Sequence, residues 1–173
     1  MKRIILLTGD GKGKTTSALG MALRAVGHGL RVCVIQFIKQ DADTGEARAL
    51  RLLPGVEHHL CGKGFVFSSD AETVREQHCA SAGGGLARAR EKLADPHIAM
   101  VILDEICEAV ALGLLDEQDV LDCIHAAADG TIIILTGRHA TPALIALADT
   151  ASQIYALKHG FYANIPAQPG VEF

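Results

Sequence analysis

The segment from Thr8 to Thr16 has the residue types of a phosphate-binding loop. It reads Thr-Gly-Asp-Gly-Lys-Gly-Lys-Thr-Thr, follows an apolar run over residues 4–7, and precedes apolar residues at helical spacing. A glycine-rich turn between a strand and a helix aims backbone N–H groups and the positive helix end at an anion. Lys14 can reach the terminal phosphates, and the Thr15 hydroxyl can bind Mg²⁺. We therefore predict a nucleotide site that comprises Gly9, Asp10, Gly11, Lys12, Gly13, Lys14, Thr15 and Thr16.

This loop departs from the usual phosphate-loop pattern at its start. The pattern G-x-x-x-x-G-K-[ST] requires glycine where this chain has Thr8, and the first glycine here is Gly9. The alternative interpretation is a glycine-rich turn without a ligand. The displaced glycine suggests instead that the triphosphate sits differently from that of ordinary nucleotide hydrolases.

Two carboxylates follow a second apolar run. Asp104 and Glu105 come directly after residues 98–103, where the acidic element that orders Mg²⁺ in phosphate-loop proteins is expected, and carboxylate oxygens suit a hard cation. The alternative is an acidic pair that the dipole at a helix start favours. Our prediction is that Thr15 and Glu105 hold the metal.

Two arginines are candidates for phosphate contacts. Arg138 follows the strand predicted over residues 131–135, and its guanidinium matches phosphate geometry; the alternative is a surface arginine. Arg24 lies on the first predicted helix, where it could reach the nucleotide or be solvated. Arg138 belongs to residues 136–139, one of four candidate groups at the carboxyl ends of predicted strands. The other three are the phosphate loop, residues 36–39 and the Asp104–Glu105 pair. Ligands bind at that edge of a parallel sheet.

Phe65 and Phe67 are alternate residues in a segment bracketed by Gly62, Gly64 and the pair 68–69. Burial in the core is the common fate of phenylalanine. The glycines and serines around this pair favour a mobile loop that contacts a ligand.

The composition limits the class of protein. The chain has 173 residues, a formal charge of −4 and 49% hydrophobic residues, which suits one domain with a substantial core and gives no sign of nucleic-acid binding or disorder. No apolar run approaches a membrane span or a signal peptide. Five scattered cysteines without a C-x-x-C pair argue against disulfides or structural zinc. We expect a cytosolic protein.

Strands and helices alternate along the chain. This order predicts an α/β fold of the phosphate-loop NTPase type (RecA-like), a three-layer sandwich around a mostly parallel sheet of about six strands. We expect a single domain over residues 1–173, with an irregular tail from about residue 160. Strands are predicted over 4–7, 31–39, 56–60, 97–104, 131–135 and 152–158. A first helix follows the phosphate loop and contains residues 19–26, and further helices are predicted over 46–53, 71–94, 108–112, 117–128 and 142–148.

Several motifs in order resemble the P-loop ATP:corrinoid adenosyltransferases along nearly the whole chain. The displaced glycine is the form that this family has. The motifs are the phosphate loop, Arg-Ala-Val-Gly-His-Gly at 24–29, Val-Ile-Gln-Phe-Ile-Lys at 34–39, Gly-Phe-Val-Phe at 64–67, Leu-Asp-Glu-Ile at 103–106, Leu-Thr-Gly-Arg-His at 135–139, Leu-Ala-Asp-Thr-Ala-Ser at 147–152, Lys-His at 158–159 and Ala-Gln-Pro-Gly-Val-Glu-Phe at 167–173.

The resemblance implies transfer of the 5′-deoxyadenosyl group of ATP to the Co(I) of a reduced corrinoid, with release of triphosphate, in adenosylcobalamin biosynthesis or corrinoid salvage. Cobalt is the nucleophile, so the protein positions the substrates and stabilises the leaving group. Lys14, Thr15 and Arg138 match the phosphate-binding positions, with Lys14 and Arg138 as the catalytic residues. Thr15 and Glu105 match the Mg²⁺ positions.

The same resemblance implies a corrinoid site and partners. Phe65 and Phe67 match aromatics that cover the lower face of the corrinoid and displace its axial ligand. Many members carry Trp in place of Phe67. The family is typically homodimeric, and an electron donor such as a flavoprotein is expected. Relatives often have a helix before the first strand, so we expect that cap to be absent here or supplied differently.

Other functions remain open at the level of the sequence. A phosphate-loop ATPase or phosphotransferase that acts on another small molecule would release ADP or other phosphate products. A nucleotide-gated binding module would bind the nucleotide and release no product.

Overall fold

The computed structural model describes residues 1–67 and 70–172. Ser68 and Ser69, which flank the predicted aromatic loop, and Phe173 lie outside the described residues. Within the described ranges, six strands form one sheet in the order β3-β2-β4-β5-β1-β6, and the pairs are parallel. The strands are β1 (Arg3–Thr8), β2 (Val32–Gln36), β3 (Val56–Leu60), β4 (Met100–Asp104), β5 (Ile132–Thr136) and β6 (Thr150–Gln153).

Helices cover both faces of this sheet, which confirms the predicted α/β sandwich. One apolar cluster joins the sheet to the first two helices, and a larger one lies on the opposite face. The central strands β2 and β4 are buried at every position, as expected for strands covered on both sides. The helices are α1 (Lys14–Gly27), α2 (Gly45–Leu52), α3 (Glu72–Ala94), α4 (Ile106–Ala111), α5 (Glu117–His125) and α6 (Pro142–Leu147).

Helix α3 runs without interruption through three consecutive glycines, residues 83–85, although glycine has a low helix propensity. A Cβ on Gly85 would lie 2.8 Å from Cβ of Cys61 and 3.0 Å from the Phe37 ring. Glycine therefore allows close packing of the helix on the sheet, and that packing outweighs its low helix propensity.

The last strand differs most from its prediction. It spans Thr150–Gln153 and not residues 152–158, and all four residues are exposed. Directly after the strand, Ile154 contacts the phosphate loop: its N–H donates to the Thr8 carbonyl and its carbonyl accepts from the Gly11 N–H, both at 2.8 Å. A 3₁₀ turn over Gly160–Ala163 begins the otherwise irregular tail. Among the described residues, no helix has the length and apolar content that crossing a membrane requires.

Candidate active site

The phosphate loop joins β1 to α1 and is shaped by its contact with Ile154. A Cβ on Gly9 would lie 2.4 Å from the Ile154 carbonyl oxygen, and one on Gly11 2.7 Å from the Ile154 side chain. Gly9 also has a positive φ of 99°, which favours glycine. Thr8 ends the strand, and its hydroxyl accepts a hydrogen bond from Ala140 at 3.3 Å. The position that usually holds glycine is thus a buried threonine that joins the loop to residues 137–140.

The start of α1 is arranged for an anion. Gly13 precedes the helix in a left-handed conformation, and the first turn contains no acidic residue. The helix therefore presents its positive end without a neutralising side chain. Lys14 is buried, and its ammonium lies 2.8 Å from the Gly9 carbonyl and 3.1 Å from that of Gly11.

A cavity of about 500 Å³ opens over this loop, within the size range of small-molecule sites. Of the predicted nucleotide-binding residues, Gly9 and Arg24 are not among its described lining residues. Arg24 is exposed in the last turn of α1. The lining comprises Asp10, Gly11, Lys12, Gly13, Lys14, Thr15, Thr16, Leu19, Lys39, Gly45, Glu46, Ala49, Glu105, Arg138, His159, Gly170, Val171 and Glu172.

Part of this lining was missed from the sequence. Gly45, Glu46 and Ala49 come from α2, and Glu46 pairs with Lys39 of the predicted group 36–39. The sequence feature that could have indicated these α2 residues is the helix start that follows the strand-end group 36–39. The tail contributes Glu172, whose carboxylate lies 3.3 Å from the Lys12 ammonium; no local pattern indicated this return of the tail.

Arg138 stands at the mouth of the cavity. Its Nε lies 3.7 Å from Oδ1 of Asp10, and both side chains are more than half exposed. Such an exposed pair contributes little stability, so Arg138 can exchange this partner for a phosphate group. Gly137 positions it, because a Cβ there would lie 2.7 Å from the backbone nitrogen of Glu108.

Asp104 and Glu105 occupy different environments. The Asp104 side chain is fully buried, and its Oδ1 accepts hydrogen bonds from the hydroxyls of Thr15 at 2.8 Å and Thr136 at 2.7 Å. Glu105 lines the cavity and has a left-handed backbone, with φ of 61°. Burial, and next the charge of Asp104, raise the pKa of Glu105 to about 7. Of the two, Glu105 is the carboxylate that faces the cavity.

The aromatic loop projects its phenylalanines outward. Phe65 is 82% exposed and Phe67 is 62% exposed, whereas Val66 between them packs against the core. Alternation along the chain explains this pattern, and the residue between the two aromatics is the partly buried one. The carboxylate of Asp70, just before α3, accepts a hydrogen bond from the Phe67 N–H at 2.7 Å.

A smaller cavity of about 150 Å³ lies beneath the aromatic loop. Phe65 lines it together with Lys14, Glu105 and Arg138, which also line the larger cavity. The two cavities are therefore adjacent, one over the phosphate loop and the other next to exposed aromatic surface. Ile38, Val66, Glu108 and Leu112 complete the smaller lining.

A separate cluster near the sheet edge has the residue types of a metal site. Ligand atoms of Cys33, Glu57 and His59 lie within 4.8 Å of one another. However, Glu57 already pairs with Lys92 at 2.8 Å and Arg31 at 3.0 Å, and burial raises the pKa of the Cys33 thiol to about 12. These cations neutralise the carboxylate and would repel a metal ion, so we interpret the cluster as an ion-pair network.

The chain is similar to known proteins over its whole length. Residues 1–173 match the family described as "ATP:corrinoid adenosyltransferase BtuR/CobO/CobP". The chain is 41% identical to a corrinoid adenosyltransferase of Pseudomonas aeruginosa over 171 residues, which covers 98% of this chain and 83% of that protein. It is 39% identical to the corrinoid adenosyltransferase CobA of Salmonella typhimurium (98% and 85% covered) and 38% identical to the corrinoid adenosyltransferase of Escherichia coli (98% and 85%).

Proposed function

The chain belongs to the ATP:corrinoid adenosyltransferase family, and we propose that its two adjacent cavities bring ATP and a reduced corrinoid together for adenosyl transfer. The electron pair of Co(I) forms the bond to C5′ of ATP, the C5′–O bond breaks, and triphosphate leaves. The protein needs no side-chain nucleophile for this reaction. Its tasks are to orient the substrates and to stabilise charge on the leaving group.

The observation that carries this proposal is the shared lining of the two cavities. Lys14, Glu105 and Arg138 belong to both, so a triphosphate on the phosphate loop lies beside the surface that Phe65 exposes. We propose that the triphosphate contacts the loop N–H groups, Lys14 and Arg138. Lys14 then exchanges the Gly9 and Gly11 carbonyls for phosphate oxygens.

We propose that Phe65 and Phe67 bind one face of the corrinoid. Both side chains are largely exposed, and a macrocycle face offers a large apolar area to cover them. The loss of an axial ligand on that face would make Co(II) easier to reduce. We expect a flavoprotein to donate the electron.

The residues at the cavity wall fit Mg²⁺. The Thr15 hydroxyl and the Glu105 carboxylate supply the oxygen ligands that a hard cation takes, and Glu105 is a largely buried carboxyl with a raised pKa beside Asp104. We propose that these two residues hold the ion. When bound, it would neutralise part of the triphosphate charge.

We propose that the protein is a homodimer in the cytoplasm. Strand β6 is an exposed sheet edge, and the segment after it exposes large apolar side chains that a second chain could cover. All five cysteines are free thiols, which suits a reducing compartment.

Sedimentation equilibrium tests the dimer and should give a dimer mass for the wild type. The double substitution Phe161→Ser with Tyr162→Asp should reduce that mass, whereas Leu52→Ser, at an exposed leucine elsewhere, should not. A monomer at micromolar concentration would contradict the dimer. The exposed side chains are Tyr155, Leu157, Phe161, Tyr162 and Ile165.

An anaerobic assay tests the proposed reaction. The protein is mixed with ATP, Mg²⁺ and chemically reduced cobalamin or cobinamide, the Co(I) absorbance is followed, and the nucleotide products are separated. Loss of Co(I) absorbance with one triphosphate released per adenosylated corrinoid is the expected result. Formation of ADP without a cobalt–carbon bond would show a phosphotransferase or ATPase instead.

A further inference from the structure

A chain of buried and partly buried hydrogen bonds connects the sheet edge to the phosphate loop. Nε2 of His58 lies 2.7 Å from Oε1 of Gln36, Nε2 of Gln36 lies 2.8 Å from Oδ2 of Asp104, and Oδ1 of Asp104 accepts from the Thr15 hydroxyl at 2.8 Å. The three residues His58, Gln36 and Asp104 stand on the neighbouring strands β3, β2 and β4, with Gln36 opposite Asp104 in the register. None of these three contacts is between neighbours in the sequence.

The chemistry of the groups fixes the direction of each bond. A carboxylate only accepts hydrogen bonds, so Gln36 must turn its NH₂ group towards Asp104 and its carbonyl oxygen towards His58. That oxygen requires a donor, so the His58 ring carries a hydrogen on Nε2. Burial lowers the pKa of His58, which favours the neutral imidazole with one N–H. Gln36 is 1% exposed and Asp104 is fully buried, so water cannot easily replace a lost partner.

Asp104 in turn fixes the Thr15 hydroxyl. Because the hydroxyl donates its hydrogen to Asp104, the lone pairs of the Thr15 oxygen point away from Asp104 and remain available to a cation. We propose that Gln36 and His58 are positioning residues for Mg²⁺: they hold the Asp104 carboxylate in the orientation that presents the Thr15 oxygen to the ion. This inference rests on the proposed metal role of Thr15 and Glu105.

Magnesium-dependent ATP binding tests the inference without the corrinoid reaction. Calorimetric titrations of ATP at a series of Mg²⁺ concentrations give the concentration for half-maximal binding. We expect Gln36→Leu to raise it about tenfold, as for losses of groups that orient metal ligands, and His58→Phe to raise it severalfold. His58→Gln restores an N–H donor of similar reach and should return the value to near that of the wild type.

His59 supplies the matched control. It is adjacent to His58 on β3 but faces the opposite side of the sheet, near Glu57, so His59→Phe should leave the Mg²⁺ requirement unchanged. If Gln36→Leu does not fold, the comparison of His58→Phe with His58→Gln decides the question. Wild-type Mg²⁺ requirement in His58→Phe and in any folded Gln36→Leu would overturn the inference, even if their melting temperatures fall.

Glu105→Gln in the same titration distinguishes a failure of the proposed metal site from a failure of the proposed positioning role. If Glu105→Gln raises the Mg²⁺ requirement and the Gln36 and His58 variants do not, the positioning role is wrong and the metal site stands. If Glu105→Gln has no effect, the proposed metal site is wrong and the positioning role falls with it.

Discussion

The ammonium of Lys14 lies 2.8 Å from the carbonyl oxygen of Gly9, five residues earlier in the chain. A second bond to Gly11 holds the same group at 3.1 Å. The loop therefore holds its cation in place before a nucleotide arrives. Such preorganisation reduces the conformational entropy that the side chain loses when it binds phosphate.

Lys14→Ala should reduce adenosylation about a hundredfold or more, comparable to the loss of one electrostatic stabiliser of a transition state. The measurement is the rate of loss of Co(I) absorbance with saturating ATP and chemically reduced corrinoid. Lys2→Ala, at the start of the chain and outside the cavity lining, serves as the control. Wild-type turnover in Lys14→Ala would rule out the assignment of this lysine to the phosphates.

Glu105→Gln should raise the Mg²⁺ concentration for half-maximal adenosylation by about tenfold or more, because an amide is a weaker ligand for a hard cation than a carboxylate. The exposed Glu76→Gln on α3 is the charge-matched control. Asp104 is fully buried and accepts hydrogen bonds from two threonines, so Asp104→Asn should lower the melting temperature of the protein. An unchanged metal requirement in Glu105→Gln would place Glu105 outside the metal site.

Glu105 also gives a pH dependence of stability in the absence of metal. Its pKa is about 7 in the fold against 4.5 ordinarily, so folding favours the protonated form. The resulting stabilisation is complete below about pH 4.5 and is lost as the pH rises to 7. The loss is at most roughly 3 kcal/mol.

The neutral side chain in Glu105→Gln does not titrate. The variant should therefore melt close to the wild type at pH 5 and roughly 5–10 °C above it at pH 8. Differential scanning calorimetry without Mg²⁺ measures both values. A difference in melting temperature that does not vary with pH would contradict the raised pKa.

Most of the fold could be predicted from the sequence because the strands are continuous apolar runs between clear turn residues. Such patterns do not predict the register between strands or the packing of residues that are distant in the sequence. Gln36, His58 and Asp104 meet only because three strands align at particular positions. The end of β6 was placed too late because the contact of Ile154 with the phosphate loop is not encoded in local periodicity.

The candidate site could also be predicted only in part from the sequence. The phosphate loop, Glu105 and Arg138 have local signatures and lie around one cavity. Arg24 has none, and its nucleotide contact remains a prediction. For Phe65 and Phe67 the sequence allowed either a core or a loop position, and their exposure favours the loop position.

Phe67→Ala tests whether the aromatic loop acts on the corrinoid or on the fold. Because Phe67 is 62% exposed, its removal should change the melting temperature by less than about 2 °C, in line with surface substitutions. Activity should fall when Co(II) must be reduced on the enzyme by a reduced flavoprotein, since the apolar cover of the macrocycle face is lost. It should change much less when Co(I) is prepared chemically beforehand. Phe67→Trp should keep or improve the on-enzyme route.

Val66→Ala is the matched control for a structural role. Val66 stands beside Phe67 but packs against the core, so its truncation should destabilise the protein by about 1 kcal/mol or more. It should also depress both assays alike. If Phe67→Ala behaves as Val66→Ala does, with a lower melting temperature and equal losses in the two assays, Phe67 supports the loop and does not bind the corrinoid. A selective loss of the Co(II)-dependent route at an unchanged melting temperature would instead place the Phe67 ring against the corrinoid.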